Sequence, residues 1–142
     1  MRKQVLAACP PSALPTIERL LGSHVTLIAA HSLEAAQQAL QRNRELAMVV
    51  CGIHFDESRM YDLLEYTREH FPSIPFVSVR ILDTRLPPIS RHSIAIATHS
   101  RGAVAYIDFA DAAAERGQEA ADAYFVTTIL QHLQPPTAGS RN

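Results

Sequence analysis

Glycine is scarce in this chain, and its five copies form no Gly-x-Gly-x-x-Gly, no Walker loop and no Gly-x-Ser-x-Gly. Those patterns bring backbone N–H groups or a nucleophile to a strand–helix turn. Their absence argues against dinucleotide, nucleoside-triphosphate and serine-hydrolase chemistry. Cysteine is scarcer still: Cys9 and Cys51 are the two copies, too few for a disulfide scaffold. An excess of one charge is missing as well. Thirteen basic residues against 14 acidic ones give a net charge of −1, with no basic stripe, so nucleic acid is not an expected direct partner. No apolar run approaches the length of a membrane span. The N-terminus starts with Arg2 and Lys3, but its apolar stretch ends at Pro10 and Pro11. It reads as a strand, not as a signal peptide. The expectation is a cytoplasmic protein with no membrane partner.

The chain has 142 residues, 47% of them hydrophobic and 19% charged, which suits one folded domain with a substantial core. Five short apolar runs stand out, at residues 5–9, 25–30, 47–51, 76–79 and 103–107. Runs this short, with little alternation, read as strands buried on both faces, as parallel strands under helices are. Each is followed by a helix-like stretch. Leu14, Ile17, Leu20 and Leu21 line one helix face, with Gly22 placed to end it as a left-handed cap. Ser32 can cap the next helix, with Glu34 in its first turn and a stripe of Leu33, Ala36 and Leu40. Met60, Leu63, Leu64, Thr67 and Phe71 repeat at helical spacing until Pro72. A fourth helix is expected over residues 90–101, ending at Gly102, after an irregular stretch with Pro87 and Pro88. Residues 108–133 read as helical with an interruption at Gly117. The pattern predicts an α/β domain over residues 1–134, a (βα)5 doubly wound parallel sheet of order 2-1-3-4-5, and a flexible polar tail over 135–142.

This order and spacing resembles the receiver domain of bacterial response regulators. The likeness is best over residues 47–64, a strand, an irregular loop and a helix, and at Gly102-Ala103-Val104-Ala105-Tyr106-Ile107, which looks like the Gly-Ala-x-x-Tyr-Leu run of a receiver's fifth strand. The resemblance implies a pocket of five groups. An acidic pair holds magnesium, an aspartate accepts the phosphoryl group, and a hydroxyl and a lysine bind its oxygens. Aligned strand by strand, this chain keeps none of the five. The acidic pair falls on Cys9 and Pro10. The acceptor falls on Gly52, or on Cys51 if the register slips by one. The hydroxyl falls on Arg80, with Ser78 two residues earlier, and the Lys-Pro pair falls on Phe109 and Ala110. Tyr106 alone matches, at the place of the aromatic switch residue. The resemblance is therefore to a degenerate pseudo-receiver: the fold kept, the phosphorelay chemistry gone, no catalytic residue, no phosphoacceptor, no metal and no cofactor.

Other constellations each have a bland counterpart. His54, Asp56 and Glu57 could form a cation site in the loop after the third strand, or a solvated loop, and Asp56 could be a displaced acceptor. Cys9 and Cys51 lie on neighbouring strands and could form a redox pair or soft-metal site. They could equally be two small buried residues pointing to opposite faces. Arg80 could bind an anion, or pair with Asp83, Asp108 or Asp56. Seven histidines are scattered without metal-ligand spacing, and His92 and His99 could share a helix face.

The leading expectation is a non-catalytic, receiver-like protein-interaction module in bacterial signalling, not switched by aspartyl phosphorylation. It would act as a stand-alone adaptor or as the receiver-like part of a larger protein. Its partner would be a protein or a second copy, docked on a face of the fourth helix, fifth strand and fifth helix that includes Ile94, Thr98, Tyr106, Phe109 and Tyr124. The alternative is a small-molecule or anion sensor that uses the pocket of Cys9, Pro10, Gly52, His54, Arg80 and Phe109. An enzyme on a flavodoxin-like fold has no acid and base to name.

Overall fold

The computed structural model describes residues 2–83 and 86–133. The tail expected at 135–142 lies outside the described residues. Five parallel strands form one sheet in the order β2-β1-β3-β4-β5. They are β1 (Gln4–Ala8), β2 (Thr26–Ala30), β3 (Leu46–Gly52), β4 (Phe76–Arg80) and β5 (Ala105–Asp108). A single turn of 3-10 helix, Pro11–Ala13, leads into α1 (Leu14–Leu21). The other helices are α2 (Leu33–Arg42), α3 (Met60–His70), α4 (Pro88–Ser100), α5 (Phe109–Arg116) and α6 (Gln118–Leu133). The doubly wound order expected from the sequence is the observed one.

Alternation along the strands sorts the core into two layers. Val5, Ala7, Met48, Val50, Val77, Val79 and Ile107 meet Ile17, Leu21, Phe125 and Ile129 of α1 and α6. Leu6, Ala8, Val49, Cys51 and Phe76 meet Leu40, Leu63 and Leu64 of α2 and α3. Burying one such leucine or phenylalanine contributes about 1.5–3 kcal/mol. The three central strands are buried on both faces from Val5, Leu46 and Phe76 onward, with Ala47 half-buried. The edge strands β2 and β5 are only half-buried, because each lacks a neighbour on one side.

Local chemistry sets the helix ends. The Ser32 hydroxyl accepts a hydrogen bond from Ala35 N at 3.1 Å, so the expected cap of α2 forms. Pro88 opens α4, its missing N–H costing nothing in the first turn. Gly117, at φ 91°, separates α5 from α6. Gly22 corrects its expected role: its φ is −61°, right-handed, not left-handed. It is glycine because a Cβ there would stand 2.5 Å from the Glu18 carbonyl oxygen. Helix α4 is the most loosely seated of the six helices, since Thr98 is its one fully buried residue.

Candidate functional site

The carboxyl ends of β1, β3, β4 and β5 bring Cys9, Pro10, Gly52, His54, Arg80 and Phe109 to one edge of the sheet, as the sequence pattern required. They fill it instead of leaving it open. A Cβ on Gly52 would lie 3.6 Å from Pro10 Cδ and 3.7 Å from Cys9 Cβ, so the first strand's loop packs directly on the third strand's end. The space directly over Gly52 is about 10 Å³, walled by Pro10, Ala13, Gly52, Ile53, His54, Ile81 and Leu82, and a larger hollow of about 230 Å³ lies on the other side of Ile53 and His54. The smaller space has room for about one water. Phe109 is turned inward, its ring edge-on to Phe125 at 5.8 Å between centroids. Magnesium wants hard oxygen ligands, and a thiol and a proline ring at the end of β1 do not fit it.

Cys9 and Cys51 are both fully buried and free. They sit in opposite core layers, Cys9 under α1 and Cys51 under α3, so the sheet lies between them. That removes the redox-pair and soft-metal reading. Burial, and then the charge of Glu18, pushes the Cys9 thiol up to about 11 from 9.0. Burial drives Cys51 up further, with Cys9 as the second cause. Both thiols are therefore inert at neutral pH. Ellman's reagent is expected to find no reactive thiol in the native protein and two after denaturation; fast reaction of the native protein would contradict this packing. The same shifts set an alkaline limit. Between pH 9 and the raised folded values the unfolded chain has lost protons that the folded chain keeps, so stability falls as pH rises. Urea midpoints should be flat up to about pH 8 and decline above about pH 9.

Arg80 is the one buried cation among the described residues, 3% exposed at the end of β4. Its Nη1 donates to Asp108 Oδ1 at 2.8 Å, and Asp83 stands 3.7 Å from Nη2. Asp108 is shared: Oδ1 also accepts from Asp111 N at 2.9 Å, which caps α5, and Tyr106 Oη lies 3.5 Å from Oδ2. An ion pair between Asp111 and Arg91, at 3.3 Å, carries the network to α4. Of the three expected partners of Arg80, Asp108 and Asp83 are present. Asp56 is elsewhere: its Oδ2 accepts from Leu33 N at 2.8 Å and so serves the N-terminus of α2. It is not directed at the place of the missing acceptor.

The loop after β3 holds a feature the sequence did not announce. Asp56, Glu57 and Ser58 have φ of 44°, 53° and 72°, three non-glycine residues in succession in the left-handed region. Each such residue costs about 1–2 kcal/mol. The turn is held by the Asp56 bond to α2, by Arg59 N donating to Phe55 O at 2.8 Å, and by the fully buried Phe55 ring. Glu57→Gly should raise stability by about 0.5–1 kcal/mol in urea titration, by relieving that cost; a loss would show that the glutamate itself holds the loop.

The expected interaction face needs correction. Thr98 is fully buried and its hydroxyl donates to Ala95 O at 3.2 Å, so it is unavailable to a partner. Ile94 and Tyr106 are half-buried against the α3 core layer, and Phe109 is buried. Tyr106 ionisation is raised by burial first and by the Asp108 charge second. Tyr124, 37% exposed under Arg116 at 5.4 Å, remains on the surface. Besides Tyr124, the large apolar side chains exposed among the described residues are Ile89, Ile96 and Val104. Sequence reasoning missed them because a helix face cannot be assigned inward or outward until its packing is known.

Among the described residues no helix is long and apolar enough to cross a membrane. No family model matches the sequence, and no curated protein does. The fold, however, is widely shared. A putative response regulator from Chloroflexus aurantiacus aligns at a TM-score of 0.71 and 18% identity, over 94% of this chain and 98% of its own. The BeF3-activated N-terminal receiver domain of Klebsiella pneumoniae RstA aligns at 0.69 and 19% identity, over 94% and 99%. HP1043, an orphan response regulator of Helicobacter pylori, aligns at 0.66 and 17% identity, over 93% and 97%. The chain therefore has the fold of response-regulator receiver domains, CheY-like in its sheet order and in the placing of its helices.

Proposed function

We propose that this chain is a non-catalytic, receiver-like interaction module of a cytoplasmic bacterial signalling pathway, not switched by aspartyl phosphorylation. The observation that carries the reading is the closed pocket. Gly52 stands where an acceptor carboxylate would, Cys9 and Pro10 pack against it, and the space left is about 10 Å³. Phosphoryl transfer needs a carboxylate nucleophile, a metal and positive charge around the transferred group. Here the nucleophile and the metal ligands are missing, and the buried cation is engaged by Asp108. A relative in fold that is described as an orphan response regulator is consistent with a receiver fold working outside a cognate pair. The same packing leaves no room for a ligand directly over Gly52; the alternative, a small-molecule sensor, would have to use the hollow of about 230 Å³ between His54, Met60, Tyr61, Leu86 and Ile94.

The reading has a direct test. Incubate the protein with acetyl phosphate and magnesium and weigh it intact. No gain of a phosphoryl group is expected. A stoichiometric gain would overturn the reading, and its loss in Asp56→Ala would place the acceptor in the loop after β3.

A further inference from the structure

Beside the closed pocket lies the hollow of about 230 Å³, where the loop after β3 and the start of α3 face α4. Its apolar wall is Ile53 and Met60, both buried, with Tyr61, Leu86 and Ile94 half-buried around it. His54 and Ser58 are its polar residues, and Tyr61 adds a hydroxyl. It lies just past the carboxyl end of β3, on the side of the sheet where α/β folds hold ligands. An apolar cavity of about 150 Å³ takes up benzene, so this one has room for one ring or two fused ones.

Both flanks of the hollow favour an occupant. One is the turn in which Asp56, Glu57 and Ser58 hold positive φ, with Ser58 itself on the wall. Backbone strain of this kind gathers at ligand clamps, where the surroundings over-determine it. The opposite flank is α4, which buries Thr98 alone. A helix with so few buried contacts can adjust to a ligand at little cost. The walls also select the chemistry. No aspartate, glutamate, lysine or arginine lines the hollow. A charged ligand would shed hydration there and gain no counter-charge. Two larger hollows differ. Arg44 stands on the one of about 490 Å³ at the amino edge of the sheet. Glu65, Arg68, Glu69 and Arg101 line the one of about 440 Å³ along α3.

We propose that this hollow binds a small neutral aromatic molecule with one hydrogen-bonding group, of the phenol or indole class. The Tyr61 and His54 rings suit a flat partner, edge-on or offset, and the Met60 thioether favours contact with a ring. The ligand ring lies between Met60, Tyr61 and Ile94. Its one polar group faces Ser58 and His54, which fix its orientation. Such a ligand adds a small-molecule input to the docking role and does not depend on it.

The test is methyl NMR on the full chain, labelled at methionine and isoleucine and titrated with phenol and with indole. Both probes should shift the Met60 and Ile94 methyl signals saturably, with dissociation constants of about 0.1–1 mM for molecules of so few atoms. Benzoate and benzylammonium, charged probes of similar size, should bind at least roughly tenfold more weakly. Ile94→Phe fills the hollow and should weaken both neutral probes by about tenfold or more. Intermolecular NOEs from the phenol ring to the Met60 and Ile94 methyl groups place the ligand in the wild-type protein, so the result does not hang on how that variant folds. The proposal is overturned by the absence of any saturable shift below about 10 mM, by benzoate binding as tightly as phenol, or by unchanged binding to a folded Ile94→Phe. NOEs to Ile74 with none to Met60 would also overturn it, by moving the ligand to the amino edge of the sheet. A phosphoryl gain from acetyl phosphate would count against the proposed function and leave this result standing.

Discussion

Asp108→Ala should destabilise the protein by roughly 2–4 kcal/mol, because it takes a bonded carboxylate away from a buried guanidinium and from the α5 cap. Arg80 is 3% exposed, and it donates to Asp108 at 2.8 Å. The other acid nearby, Asp83, is 92% exposed and stands at 3.7 Å, too far and too wet to substitute. The carboxylate also caps α5 through Asp111 N, a bond that contributes about 1 kcal/mol by itself. Two further variants separate these effects. Asp108→Asn keeps an oxygen for the cap and removes the charge, so it should fall between wild type and Asp108→Ala. The double variant Arg80→Met/Asp108→Ala removes both charges and should recover most of the loss, leaving about the cost of the cap. Urea unfolding of the four proteins closes the cycle. A loss under 1 kcal/mol in Asp108→Ala would mean that Arg80 is held mainly by other groups. The result bears on function as well. In a switching receiver the phosphoryl group supplies the contacts that choose between two states. Here a resident carboxylate engages the buried cation, which is the fixed contact the proposed function calls for.

The sheet was legible because its signal is collective. Five apolar runs at regular spacing leave one handed way to wind the chain, and small errors at the ends do not change it. The errors that did occur are at edges and ends. Residues 103 and 104 read as strand, yet β5 begins at Ala105, since an edge strand holds fewer ladder bonds. Gly22 read as a left-handed cap, because glycine has two uses at a helix end and the sequence does not say which applies. The candidate site was legible by subtraction. Cys9, Pro10, Gly52, Arg80 and Phe109 could be placed at the strand ends residue by residue, and the tight packing over Gly52 involves Cys9 and Pro10 among them. The surface was not legible in the same way. Thr98 and Ile96 are two residues apart on one helix, one buried and the other exposed, and that difference is set by tertiary packing. The left-handed turn at residues 56–58 gave no warning either, since it contains no glycine.

Gly52→Asp should be the most damaging way of trying to restore phosphorylation, and Gly52→Ala should be nearly harmless. The Cβ is not the obstacle. At 3.6 and 3.7 Å from Pro10 and Cys9 it makes ordinary contacts, and Gly52 does not use the left-handed backbone that would penalise alanine. Alanine should therefore change stability by less than about 1 kcal/mol, in either direction. Aspartate adds two oxygens beyond that Cβ. They must enter about 10 Å³ walled by Pro10, Ala13, Ile53, His54, Ile81 and Leu82, where the His54 ring is the one polar side chain. Overpacking and burial of a carboxylate among mostly apolar walls together should cost roughly 2–4 kcal/mol at pH 7. The sign of the pH dependence follows. Burial raises the folded pKa of the new carboxyl, so the penalty is smallest below the unfolded value of about 3.9 and grows as pH rises through the folded one. Acetyl phosphate and magnesium should still add no mass, because Cys9 and Pro10 offer no metal ligands and no lysine replaces Phe109. An aspartate variant as stable as the alanine one, gaining one phosphoryl group, would show that the pocket opens in solution and that the loss of switching is a matter of one residue.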